Sequence, residues 1–198
     1  MKKILSASLA LFLAALAPRL PAATLSATTF EEACRVLKAE KITTGDFIQK
    51  RVISQTGRTL KSSGIFTVSP QGIIWQSLKP VKSTTEITPE KITQIDSRGN
   101  KNTLSSADNQ IFSLISKMTA SLFSGKSSDL EEFFEVSFKT GASSDWEMTL
   151  KAKDSTVSQA MDAIILTGNS EVLLTMKNLQ KNGDYLLYEF YNHKFSEE

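Results

Sequence analysis

The chain is predicted to fold mainly as β structure with some α: one antiparallel sheet of about ten strands, covered by two or three helices. Three observations lead there. Short runs of period-2 alternation are separated by turn signals such as Ser69-Pro70-Gln71-Gly72, Arg98-Gly99-Asn100 and Asn182-Gly183. Long helical periodicity is confined to two segments. Strands and helices do not alternate one for one, which argues against a parallel α/β sheet.

The chain opens with Met1-Lys2-Lys3, an apolar or small-residue run from Ile4 to Ala17, and Pro18-Arg19-Leu20-Pro21-Ala22-Ala23. A charged start, a short apolar run and small residues at its end describe a secretory leader. The run is short of the roughly 20 apolar residues that span a membrane. Cleavage is expected after Ala23, with Ala22 the neighbouring alternative, leaving residues 24–198 as one domain. The leader holds Lys2, Lys3 and Arg19 and no acid. Its removal takes three of the 23 basic residues and leaves 21 acidic ones, so the net charge falls from +2 to −1. Nothing in that balance suits a nucleic acid or an anionic membrane surface. Cys34 is the one cysteine. It has no partner for an intrachain disulfide, and it lies too far past the leader to be a lipid-anchored residue. It reads as a small buried residue on a helix.

Thr29-Phe30-Glu31-Glu32 has the pattern of a capping box. Phe30, Ala33, Cys34 and Leu37 then recur at helical spacing, predicting a helix from Phe30 to about Glu40. Strands follow at about Gly45–Ser54, Arg58–Val68, Ile73–Lys79, Val81–Thr88 and Lys91–Asp96, with a short return at Lys101–Leu104. The hairpin from Gly64 to Pro80 is unusually apolar. On its first strand Phe66 and Val68 share a face, and on its second Ile73, Trp75 and Ser77 share a face, yet Ile73-Ile74-Trp75 is apolar on both. A sheet resting on one core needs a single apolar face, so something is expected to cover the second.

The second helix, capped by Ser105 or Ser106, places Ile111, Leu114, Ile115, Met118 and Leu122 at helical spacing. Phe112 and Phe123 widen the stripe and Gly125 ends it. So wide an apolar arc needs cover on more than one side. Lys126 to Asp129 reads as a loop, and Leu130–Phe134 as a helical turn before a strand at Val136–Lys139. Further strands are expected near Trp146–Ala152, Ala163–Thr167, Val172–Asn178 and Tyr185–Phe195, with a turn at Gly168-Asn169.

No nucleophile elbow, phosphate loop or metal-spaced Cys/His cluster is present in the sequence. The one histidine, His193, lies in the last strand and reads as a surface or structural residue. The adjacent pairs Glu31-Glu32 and Glu131-Glu132 point different ways on a helix and read as helix N-terminal charge. Catalysis, a metal and a cofactor are not expected.

The hairpin is similar to the early hairpin of the LolA family, the soluble periplasmic carriers of bacterial lipoproteins. That hairpin has a glycine, an aromatic and aliphatic strand, a basic residue with Pro, and an apolar strand carrying a Trp and ending near another Pro. Gly45-Asp46-Phe47-Ile48-Gln49-Lys50 resembles the family's first strand. The likeness continues through Asp145-Trp146-Glu147-Met148-Thr149-Leu150, Met176-Lys177-Asn178-Leu179-Gln180 and Leu187-Tyr188-Glu189-Phe190. The resemblance implies an incomplete, half-open barrel under lid helices. It implies a monomer in the periplasm that shields the acyl chains of a lipoprotein or lipid cargo. An inner-membrane transporter would load it and an outer-membrane acceptor would unload it. The cavity would be lined by Phe47, Phe66, Val68, Ile73 and Trp75 from the sheet and by Leu37, Ile111, Ile115 and Met118 from the helices. Where the family has a latch Arg before the hairpin Pro, this chain has Ser69, with one short donor and no charge. No Trp stands near Ile87–Ile95. These departures imply either a weaker latch or a divergent branch of the family. The alternatives are an adaptor or sensor domain that binds a protein partner, or an accessory to glycolipid or polyene-lipid export.

Overall fold

The computed structural model describes residues 28–39, 41–105, 110–141 and 145–196. The expected leader, 1–23, and the alternative cap at Ser106 lie outside the described residues.

Helix α1 (Phe30–Leu37) begins with the capping box read from the sequence. The Glu32 amide donates to Thr29 Oγ1 at 3.2 Å, and the Thr29 amide donates to Glu32 Oε2 at 2.7 Å. The helix stops at Leu37, short of the expected Glu40. Lys38 is already extended, and the Ala39 amide donates to the Phe123 carbonyl at 3.3 Å. A tertiary bond thus replaces the next helical turn.

Strands β1 (Ile42–Ile53), β2 (Arg58–Ser69), β3 (Gly72–Lys79), β4 (Ser83–Ile87), β5 (Lys91–Ile95) and β6 (Lys101–Ser105) follow as a meander. Helices α2 (Gln110–Leu122) and α3 (Ser127–Phe133) connect it to β7 (Phe134–Thr140) and β8 (Trp146–Ala152). Helix α4 (Ser155–Ala160) precedes β9 (Met161–Gly168), β10 (Leu173–Gln180) and β11 (Tyr185–Ser196). The described residues thus form eleven strands and four helices, against the ten and two or three expected. The segment read as a loop at Lys126–Asp129 is mostly helix: α3 starts at Ser127 from Lys126, which makes no side-chain cap bond, and Asp129 places an acidic charge in its first turn. Strand β7 accordingly begins at Phe134, inside the expected helical turn. Helix α4 was not expected. The Asp154 carboxylate accepts from the amides of Thr156 at 2.9 Å and Val157 at 3.1 Å and starts it.

All strands pair antiparallel in one sheet of order β6-β5-β4-β3-β2-β1-β11-β10-β9-β8-β7. The sheet is open: β6 and β7 are its edges, and α2 and α3 link them. The first and last strands meet at its centre. One register row runs Phe138, Met148, Leu166, Met176, Tyr188, Gln49, Ser62 from β7 to β2. Residues opposite one another share a face, so this row turns from apolar to polar as it leaves the helices.

Two apolar clusters lie on the covered face. The larger joins Ala33, Cys34 and Leu37 of α1 to Met118, Leu130, Phe134, Trp146, Met148 and Leu150, with Leu114 and Leu122 packed against it. Each large side chain fully buried there contributes about 1.5–3 kcal/mol. The smaller is aromatic: Phe47, Phe66 and Phe190, with Trp75, Tyr188 and Val68 around them.

Candidate functional site

The site lies where the two clusters meet. Helix α2 forms the ridge between them. Leu114, Met118 and Leu122, four residues apart, pack on the larger cluster. Ser116, Thr119, Ala120 and, just past the helix end, Phe123 turn to the other side and roof a cavity of about 320 Å³. Its floor is Val68, Ile73 and Ile87. The roof is tied at both ends. Ser116 Oγ donates to the Pro89 carbonyl at 2.7 Å, and the Phe123 carbonyl accepts from the Ala39 amide. At the floor's edge Gly72 has φ 142°, and a Cβ there would meet the Ile87 carbonyl oxygen at 2.2 Å. Glycine therefore lets the β2–β3 turn close against β4.

A second cavity of about 90 Å³ adjoins the first and is lined by Leu37, Phe66, Trp75, Leu173, Met176 and Phe190, among others. Val68, Phe123 and Lys38 line both. Its aromatic wall is built across strands. Phe66 and Trp75 are direct partners on β2 and β3, as are Phe47 and Phe190 on β1 and β11. Ring centroids are 5.3 Å apart for Phe66–Phe190, 5.4 Å for Phe47–Trp75 and 5.4 Å for Trp75–Tyr188, at separations where aromatic pairs attract. Gly45 makes room for this wall. It stands opposite Phe66, and a Cβ there would lie 2.7 Å from the ring.

The histidine enters the site through a bulge. Between Thr44 and Asp46 the β1–β11 register slips by one residue, and Asn192 takes φ 54°. The Asn192 amide group donates to Asp46 Oδ2 at 2.7 Å. The extra residue shifts the alternation, so His193 and Phe195 line the smaller cavity rather than Asn192 and Lys194. The His193 ring sits edge-on to Phe66 at 5.7 Å. Burial lowers its pKa below the usual imidazole value, opposed by a hydrogen bond with the Leu173 backbone. Burial likewise raises the Tyr188 phenol. Cys34 is buried in the larger cluster, and desolvation, with Glu31 and Glu131 nearby, pushes its thiol up to about 11. It is an inert core residue.

Of the cavity residues named from the sequence, Leu37, Phe66, Val68, Ile73 and Trp75 line one or both cavities. Phe47 belongs to the aromatic wall but, at 2 % exposed, lines neither cavity. Met118 is buried in the larger cluster and lines neither cavity. The side chains of Ile111 and Ile115 lie outside the described residues. Ser69 lines the larger cavity, with its hydroxyl engaged in its own turn: it donates to the Gly72 carbonyl and accepts from the Gln71 amide, both at 3.3 Å. Phe123, Lys38, Met176, His193 and Phe195 were not expected at the site. For Phe123 the signal was present, since it widens the α2 stripe away from Met118. Among the described residues no group of three or more His, Cys, Asp or Glu side chains is gathered to hold a metal ion. No helix among them is long and apolar enough to cross a membrane.

No family model and no curated protein sequence matches the chain. Solved structures are similar to it in fold. A chain of the Pseudomonas aeruginosa MucA/MucB complex aligns at 12 % identity and TM-score 0.45, covering 85 % of this chain and 55 % of that one. This chain thus spans about half the length of that one. A LolA superfamily protein from Nitrosomonas europaea aligns at 8 % identity and TM-score 0.44, covering 85 % of this chain and 92 % of that one. An outer membrane lipoprotein-sorting protein domain from Vibrio parahaemolyticus aligns at 8 % identity and TM-score 0.42, covering 82 % and 89 %.

Proposed function

We propose that this protein is a periplasmic carrier that holds the acyl chain of a lipoprotein or related lipid while it moves between inner and outer membranes. One observation carries the reading: two adjoining apolar cavities meet at Val68 and Phe123, between an open sheet and the end of α2. The larger, at about 320 Å³, is near the lower bound of ordinary ligand pockets, which begin at about 300 Å³. Each methylene buried contributes about 0.8 kcal/mol. About eight of them would gain roughly 6 kcal/mol before the cost of association. The open sheet leaves a route out, so no covalent step and no cofactor are required. In this reading residues 1–23 are a cleaved leader and 24–198 the carrier domain, a monomer that is not an enzyme. A membrane transporter loads it and an outer-membrane acceptor unloads it.

A second reading, an adaptor that binds a protein partner, is favoured by the outer sheet face. Ile65 and Ile74 are 39 % and 38 % exposed there. Purification without detergent followed by solvent extraction separates the two. A carrier yields lipid near one equivalent, and the cavity-filling Val68→Trp variant yields far less. Lipid-free protein, with partner binding unaffected by Val68→Trp, would favour the adaptor and overturn the carrier.

A further inference from the structure

The β2–β3 and β4–β5 turns border the larger cavity. At the opposite end of the same strands the chain makes three other turns: 54–57 between β1 and β2, 80–82 between β3 and β4, and 96–100 between β5 and β6. The register sets the last two level, since Ser77 pairs with Ser83, Thr84 with Ile95, and Ile95 with Lys101. Ser63 pairs with Lys79, so the start of β2, with Leu60 and Lys61, runs on beside the β3–β4 turn. A shallow cleft of about 270 Å³ joins the two level turns, lined by Leu78 and Lys82 from one and by Asp96 and Ser97 from the other.

Six cations gather at this end: Arg58 and Lys61 on β2, Lys79 and Lys82 at the β3–β4 turn, and Arg98 and Lys101 at the β5–β6 turn. All six are exposed, and none of their side chains has a hydrogen-bond or ion-pair partner among the described residues. Two carboxylates lie near them, and both are turned to backbone. Asp96 closes its own turn, its Oδ1 accepting from the amides of Arg98 at 2.8 Å and Asn100 at 2.9 Å. Asp184, on the adjacent β10–β11 turn, accepts from the Ser54 amide at 2.9 Å. In the other half of the sheet cations are matched, Lys181 with Asp162 at 2.8 Å and Lys139 with Glu147 at 3.7 Å. The charge balance of the whole chain speaks against an anionic surface, but the turns bring together cations that the sequence spreads from Arg58 to Lys101.

Apolar side chains stand among these cations. Leu60, Leu78 and Val81 are 49 %, 46 % and 59 % exposed. Charge alone would serve an acidic protein, and the three turns carry no aromatic ring on which a nucleic acid base could stack. Exposed aliphatic side chains between lysines suit a lipid interface, where the charges meet head groups and the apolar groups enter below them. We infer that this end of the sheet docks on a bilayer surface rich in anionic phospholipid, with the six cations at the head groups and Leu78 and Val81 in the interface. The inference goes beyond the carrier reading and does not depend on what the cavities hold. Docking by this end leaves the larger cavity and its two bordering turns at the far end of the strands.

The test is flotation of the processed protein with vesicles of phosphatidylcholine, alone or mixed with phosphatidylglycerol, at low and high salt. Binding to the mixed vesicles is expected to exceed binding to phosphatidylcholine about tenfold or more, and added salt should weaken it. Each basic residue near an anionic surface strengthens binding about fivefold, so Lys79→Glu with Lys82→Glu should lose about thirtyfold or more. Lys117→Glu with Lys126→Glu makes the same change of net charge at exposed lysines elsewhere and should lose far less. Leu78→Ser with Val81→Ser, which keeps every charge, should also weaken binding to the mixed vesicles. The cavity-filling Val68→Trp should bind them as the wild type does, which separates docking from cargo. Equal binding to both kinds of vesicle, or to neither, would overturn the inference. Equal losses in the two double charge reversals would overturn it too, since net charge and not this end would then decide. Full binding by the Leu78→Ser, Val81→Ser variant would overturn the bilayer as the partner and point to an acidic protein. All these side chains are exposed, so thermal unfolding of each variant should match the wild type.

Discussion

The two halves of the sheet bury the same kind of surface in different ways. Around β7, β8 and β9 the covered face is closed. Met148 and Leu150 are fully buried, and α1, α2 and α3 supply Cys34, Met118 and Leu130 against them. Around β1, β2, β3 and β11 the covered face is aromatic and leaves gaps. Each half sets a large ring on a cross-strand glycine, a device that packs a sheet position without a side chain of its own. Trp146 lies on Gly168, and Phe66 lies on Gly45. On the closed side the indole also donates to the Asn169 carbonyl at 2.8 Å. On the other side the pairs Phe47–Trp75 and Phe66–Phe190 stand edge to face, and Tyr188 stacks on Phe190, around open volume. Close-packed aliphatic side chains maximise contact, whereas a rigid aromatic frame can hold its shape around space. In the proposed reading, stability and binding thereby fall in different halves of one sheet.

The largest effect that could break this comparison is on stability. Leu150→Ala in the closed half should cost about 2–5 kcal/mol in denaturant unfolding, because the packed surroundings cannot collapse into the void. Val68→Ala, at a wall that already borders empty space, should cost under about 1.5 kcal/mol and weaken binding of an acyl probe instead. Equal losses of stability at both positions would mean that the halves do not differ in this way.

Much of the closed half was legible in the sequence. The capping box of Thr29 and Glu32, the repeat Ala33-Cys34-Leu37 and the α2 stripe all follow from helical periodicity and end chemistry. The hairpin and its rings followed from period-2 alternation. The seam was harder to read. Met118 and Phe123 belong to one apolar arc, and only the position of the sheet decides that the first seals the core and the second roofs the cavity. Helix α4 is too short to show a repeat, so its one signal was Asp154 as a cap. The alternation that would put Asn192 and Lys194 inside is overturned by a single added residue. Its one local sign is an asparagine, a residue that tolerates positive φ. Ser69 was read from the family's latch, whereas its hydroxyl closes its own turn.

A smaller effect sharpens the comparison through His193. Its folded pKa lies below the ordinary value of 6.5 because burial disfavours the charged ring. As pH falls, the unfolded chain takes up the proton first. The associated stability is therefore full above about pH 6.5 and is lost as pH falls through the folded pKa. The carboxylates whose pKa is lowered, Glu32, Asp96 and Asp162, act below their own ordinary values and leave this interval to the histidine. His193→Gln should flatten the decline in Tm between about pH 7 and pH 5. An unchanged slope would place the ring in water, outside the aromatic half.

The chain carries one tryptophan in each half, Trp75 at the cavity and Trp146 in the closed core. Titration with a brominated acyl chain, followed by tryptophan emission, therefore tests the central claim most directly. Trp75→Phe keeps the ring wall and leaves Trp146 as the sole reporter, with binding followed separately by calorimetry. The account predicts strong quenching in the wild type and little in Trp75→Phe although the chain still binds. Quenching of Trp146 to the same extent would put the chain in the closed half and contradict the assignment of binding to the aromatic one.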